Sequence, residues 1–215
     1  MEISTRHLLL WAIADVQSRP NGRAYLQKLC FFVGRILGVD FGHRANHFGP
    51  YSDLVASEMS YLLANGYAFQ TPKYCDAADS QGWEVPRADF RLTDRGEEGL
   101  RWLDVKYSQE AEQVRAAVRR VLKAGDLNYI GLSVAAQVFW TLSREGRAAT
   151  QENVRQTIHH LPWSQPTEHL ASAQLLDFLR ELGLQGGRSR ARDSFTEDRT
   201  LDGNDTGTMG QTVAE

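Results

Sequence analysis

Helix-period stripes of apolar residues, cut at short intervals by glycine and proline, constrain this chain more than any other feature. From about Arg23 to Leu37, Leu26, Leu29, Cys30, Val33 and Leu37 recur at helical spacing, and Phe31, Phe32 and Ile36 widen the stripe. "RPNG" at Arg19 to Gly22 stops an earlier helix. That helix starts at Ser4 or Thr5 as cap and runs to about Ser18, with Leu8, Leu9, Trp11, Ala12, Ile13 and Val16 as its apolar face. Gly38 closes the second helix in the left-handed conformation that glycine adopts freely. A third stripe, Leu54, Val55, Met59, Leu62 and Leu63, follows a short strand and the corner "GPYS". Ser52 is its expected N-cap, Asp53 suits its first turn, and Asn65–Gly66 stops it near Ala64.

The period then changes. "YAFQ" and "DFRLT" alternate as two strands do, with the polar run Pro72 to Ala88 as the loop between them. Thr93 caps a long helix expected from about Asp94 to Ala124, bent at Gly99. After "KAGD", three amphipathic segments fill residues 127 to 184. The fold predicted is mainly α with a small β wing. It consists of a winged helix-turn-helix-like domain with a long linking helix at 1–124 and a C-terminal helical unit at 125–185. From 186 to 215 the chain is rich in Gly, Ser, Thr and Asp, with four Arg against six acidic residues, and is expected to be a disordered tail.

Three blocks carry a family resemblance. They are "GRAYLQKLCFFVG", then "HFGPYSDLVASEMSYLLANGYA", then "FRLTDRG". In that order they resemble the YwgA-like prokaryotic family and, more distantly, the Panacea (SocA-like) antitoxin domain. The resemblance covers about residues 5 to 184, and its motif residues here are Gly49, Pro50, Tyr51 and Ser52. It implies a winged-helix frame used to bind a macromolecule, with a toxin or another protein as partner in the Panacea-like relatives. Read from the residues alone, Gly49 and Pro50 build a sharp corner, and Tyr51 is expected to pack its ring beneath it.

Charge separates two readings of that frame. From Val16 to Tyr51, Arg19, Arg23, Lys28, Arg35 and Arg44 stand against Asp40 alone, five minus one, or +4. His47 lies in the same stretch, and Lys73, Arg87 and Arg91 flank the loop between the strands. Such a grouping attracts phosphate without reading sequence. DNA docking is therefore expected through Arg19, Arg23, Lys28, Arg35, Arg44, His47, Lys73 and Arg87, in operon control or defence. The third helix argues the other way. It offers Asp53, Ser57, Glu58, Ser60 and Tyr61 where a recognition helix offers Arg, Lys, Asn or Gln. The net charge of −3 also falls short of a dedicated DNA coat. The alternative is a protein-binding adaptor or antitoxin-like module that does not touch DNA. A homodimer through the helix from Asp94 is a further expectation.

Catalysis is not expected. There is no GxSxG, P-loop or dinucleotide fingerprint, and Cys30 sits in an apolar helical run. His159, His160 and His169 lie near Glu168 without a ligand spacing, so no metal and no cofactor is predicted. Cys30 and Cys75 form no disulfide framework. The apolar run from Leu8 to Ile13 is too short for a signal segment, and no stretch reaches membrane-span length. The expected location is cytoplasmic. "AAQVFW" is expected to put Phe139 and Trp140 in the core.

Overall fold

The computed structural model describes residues 3–73, 87–125, 127–161 and 172–185. Among them are eight helices and one two-stranded sheet. The order is α1 (Thr5–Val16), α2 (Arg23–Leu37), α3 (Asp53–Ala64), β1 (Ala68–Lys73), β2 (Arg87–Leu92), α4 (Asp94–Lys106), α5 (Ser108–Ala124), α6 (Tyr129–Arg144), α7 (Gln151–His159) and α8 (Ser172–Glu181). The strands are antiparallel, with Ala68 opposite Leu92 and Lys73 opposite Arg87. No helix among the described residues is long and apolar enough to cross a membrane.

Local signals set most boundaries. Ser52 and Thr93 accept from the backbone N–H three residues on, at Val55 and Gly96. Gly38 and Gly66 take φ of 68° and 67°, which lets the chain leave α2 and α3. Three expectations need correction. α1 ends at Val16, two residues early. The strand before the corner shrinks to one bridge, Arg44 with Tyr51. The long helix is two: it breaks at Tyr107 (φ −127°, ψ 48°), and Gly99 stays inside α4. The break allows two directions, with α4 against α1 and β2 and α5 against α1 and α2.

Gly96 fixes how α4 leaves the hairpin. A Cβ there would lie 1.9 Å from the Tyr67 carbonyl oxygen, so no larger residue fits without moving the backbone.

α2 is the central element, in contact with α1, α3, α5, α6 and β2. Its buried Phe31 and Phe32 reach Phe139 and Phe178, which join α6 and α8 to the same core. Phe139 and Trp140 are buried, as "AAQVFW" suggested. The predicted boundary at 124/125 thus falls between helices whose buried residues form one continuous cluster. The expectations for the loop 74–86, Cys75, His169 and the tail 186–215 lie outside the described residues.

Candidate functional site: the 41–54 corner and the clamp beneath it

The ordered motif residues meet in one place. Gln27 and Lys28, a turn into α2, fasten the chain between Phe41 and Ser52. The Gln27 amide donates to the Ser52 carbonyl at 2.8 Å and accepts from the Ser52 N–H at 3.0 Å. The Ser52 hydroxyl donates to the Phe41 carbonyl at 2.5 Å while accepting from Val55 N–H at 3.1 Å. Lys28 Nζ donates to the Pro50 carbonyl at 2.7 Å. His43 Nε2 lies 3.2 Å from the Gln27 carbonyl, so the neutral ring carries its proton on Nε2. Gln27, Lys28, His43 and Ser52 are all buried, and this network satisfies backbone groups of the corner that water cannot reach.

Gly49 lets the corner close. Its φ of 87° suits glycine, and a Cβ there would meet the Ser133 carbonyl at 3.0 Å and Lys28 Cε at 3.3 Å. The corner is therefore pressed between α2 and α6.

Burial controls the protonation of the clamp. It pushes the His43 imidazole down to about 4 and the Lys28 ammonium down to about 8. The described residues give Lys28 no carboxylate; its hydrogen bond goes to a neutral carbonyl.

The outer side has the opposite character. Arg44, His47, Phe48, Tyr51 and Leu54 are exposed, with Phe48 at 59%. His47 stands edge-on to Phe48 at 4.6 Å. Tyr51 is 37% exposed, and its main chain pairs with that of Arg44 across the corner. Phe48 was not singled out from the sequence; its only signal is an aromatic within a polar turn, "NHFGP".

The expected basic surface does not assemble as one patch. Lys28 is corrected outright: at 3% exposure its amine is spent on Pro50 and cannot meet phosphate. Arg19 is half-buried in the α1–α2 turn. Arg23, exposed at the start of α2, faces α3 and β2, 3.5 Å from Ser60 Oγ and 5.8 Å from the Phe90 ring. Arg35, at the other end of α2, lies over Phe31, Phe139 and Trp140 at 5.3 to 5.9 Å and packs on α6. Lys73 and Arg87 pair in register at the end of the hairpin where residues 74–86 connect the two strands. The corner carries Arg44 and His47 on its exposed side and Lys28 beneath it.

The third helix is also less acidic outside than expected. Arg6, 52 residues away in sequence, donates to both Glu58 carboxylate oxygens at 2.7 and 3.2 Å and covers the Tyr61 ring at 3.6 Å. Nothing in the local pattern announces that pair. Beside it, a cleft lined by His7, Trp11, Asp40, Phe41, Leu54 and Tyr107 adjoins the corner through Leu54.

Other candidate chemistry stays dispersed. Cys30 is fully buried and its thiol is pushed up to about 12, far from a reactive thiolate. His159 and His160 are exposed, and among the described residues no group of three or more His, Cys, Asp or Glu could hold a metal ion.

What this geometry defines is a mainly helical protein with a small antiparallel hairpin and a fastened corner on its surface. No protein-family model matches the chain, and no curated protein matches it in sequence.

Proposed function

We propose that the chain is a non-catalytic docking module, a winged-helix-like frame that binds a protein partner through the 44–54 corner. One observation carries this reading. The buried clamp of Gln27, Lys28, His43 and Ser52 holds a short loop whose outer side is Arg44, Phe48, Tyr51 and Leu54. Aromatic and arginine side chains dominate binding energy at protein interfaces. Holding them on a fixed backbone lowers the ordering cost of association. The resemblance to antitoxin-like modules points the same way, and a cytoplasmic setting accords with it. The DNA reading loses its main support, because Lys28 is buried and Arg23 and Arg35 attend to different neighbours.

The test places a photo-crosslinking amino acid at Phe48 in the cell of origin. The expected result is one discrete protein adduct that disappears when Arg44→Glu and Tyr51→Ala are added. A duplex DNA of mixed sequence, titrated across a salt series, is the counter-test. Affinity that falls steeply with salt and drops with Arg44→Ala would replace the protein reading with the DNA one.

A further inference from the structure

We infer that the outward stripe of α4 is a self-association surface that seats a second copy of this chain antiparallel across Trp102. It is separate from the corner and does not rest on the docking reading.

α4 turns Gly96 and Leu103 inward. Its opposite face carries Glu98, Arg101, Trp102 and Val105, at the i, i+3, i+4 and i+7 spacing of one helix face. Trp102 is 55% and Val105 85% exposed, on a helix whose remaining outward residues are largely charged. Trp102 and Val105 form the apolar centre of this otherwise charged face. The Lys106 ammonium lies 4.5 Å over one side of the Trp102 ring.

The pattern is complementary to itself. Glu98 stands four residues before Trp102 and Lys106 four after it. A two-fold axis through Trp102 therefore lays Trp102 on its own copy and brings each Glu98 beside the other copy's Lys106. That is the condition for an isologous interface, in which one patch must fit itself. Antiparallel helices also set opposite macrodipole ends together. A parallel pairing would align Glu98 with Glu98 and Lys106 with Lys106, which like-charge repulsion disfavours.

Sedimentation velocity of the full chain over a concentration series at low salt tests this, with circular dichroism confirming that each variant is folded. The wild type should form a reversible dimer. Trp102→Glu should weaken it about thirtyfold or more, the loss typical of a central interface tryptophan. Glu98→Lys and Lys106→Glu should each weaken it. An equimolar mixture of those two variants should regain dimer, because every charge contact is then opposite in sign. The double variant should regain it too. A chain that stays monomeric throughout, a dimer that Trp102→Glu leaves intact, or a mixture that fails to recover would each overturn the inference.

Discussion

Asn21, just before α2, and Gln27 with Lys28, a turn into it, each fasten a distant segment to that helix through buried hydrogen bonds, but the two joints are composed differently. The Asn21 amide donates to the carbonyls of Val16 and Phe90 and accepts from Phe90 N–H at 2.6 Å, while its own N–H donates to Asp89. Each bond of that side chain pairs a neutral group with a neutral group, and the amide is nearly saturated. The clamp under the corner has a similar amide in Gln27, but next to it stands an ammonium whose partner is a neutral carbonyl. A buried cation without a carboxylate costs stability that an amide would not. The Asn21 joint places a buried carboxylate, Asp89, on a backbone N–H, and the Lys28 joint places a buried ammonium on a backbone carbonyl. That difference is what sets the corner apart as more than a turn.

The largest expected effect tests the first half of this contrast. Asn21→Ala takes the Asn21 partner from both the carbonyl and the N–H of Phe90 beneath the hairpin, leaves the Val16 carbonyl with Arg19 N–H as its donor, and should cost about 3 kcal/mol. Gln27→Ala frees the Ser52 N–H, leaves the Ser52 carbonyl with Ala56 N–H as its donor, and should cost about 2 kcal/mol. Urea unfolding with unchanged slope measures both. If Gln27→Ala proved harmless while Asn21→Ala did not, the corner would be held by Lys28, Gly49 and Ser52 without the Gln27 amide.

How far the sequence reveals these joints depends on distance along the chain. Helix ends were legible at Ser52, Thr93, Gly38 and Gly66 because a cap acts within a few residues. The apolar stripes of α1 to α3 were legible for the same reason. Tyr107 breaks a continuous helical pattern with no Gly or Pro signal, since the break follows from what α4 and α5 pack against. In the site, the motif spacing located Gln27, Lys28 and the 49–52 turn, yet a run of cations reads as a surface when burial is unknown. Lys28 is inside because Pro50 lies across α2 from it, and Glu58 is neutralised by Arg6 from another helix. Both are contacts of the folded chain that no local pattern encodes.

The second half of the contrast is sharpened by pH. The Lys28 ammonium titrates near 8 in the fold against an ordinary 10.5, so the unfolded chain binds more protons between those values. The burial cost is fully present below pH 8 and is relieved as pH rises toward 10.5. His43, held down to about 4 against an ordinary 6.5, has the same sign lower on the scale: its contribution is intact above pH 6.5 and is lost as pH falls toward 4. Stability of the wild type minus that of Lys28→Met should therefore climb with pH in the alkaline window. The same difference against His43→Gln should likewise climb with pH in the acidic window, shrinking as the solution is acidified from 6.5 toward 4. Flat difference curves would mean that water reaches these groups and that the clamp is not sealed.

The smallest expected change in stability belongs to the outside of the corner, and it separates presentation from folding. Phe48 is exposed, and the clamp bonds run through Phe41, Gln27, Lys28, Pro50 and Ser52 without it. Phe48→Ser should shift unfolding by no more than about 0.5 kcal/mol, as exposed substitutions usually do. Gln27→Ala, by contrast, should loosen the corner while leaving every exposed side chain in the sequence. If the corner is a docking surface, partner capture by the Phe48 crosslinker should decline in the Gln27→Ala background even where the protein remains folded. A Gln27→Ala variant that stays folded and captures as well as the wild type would show that presentation needs no rigid corner, and the inverted polarity of its two sides would lose its functional meaning.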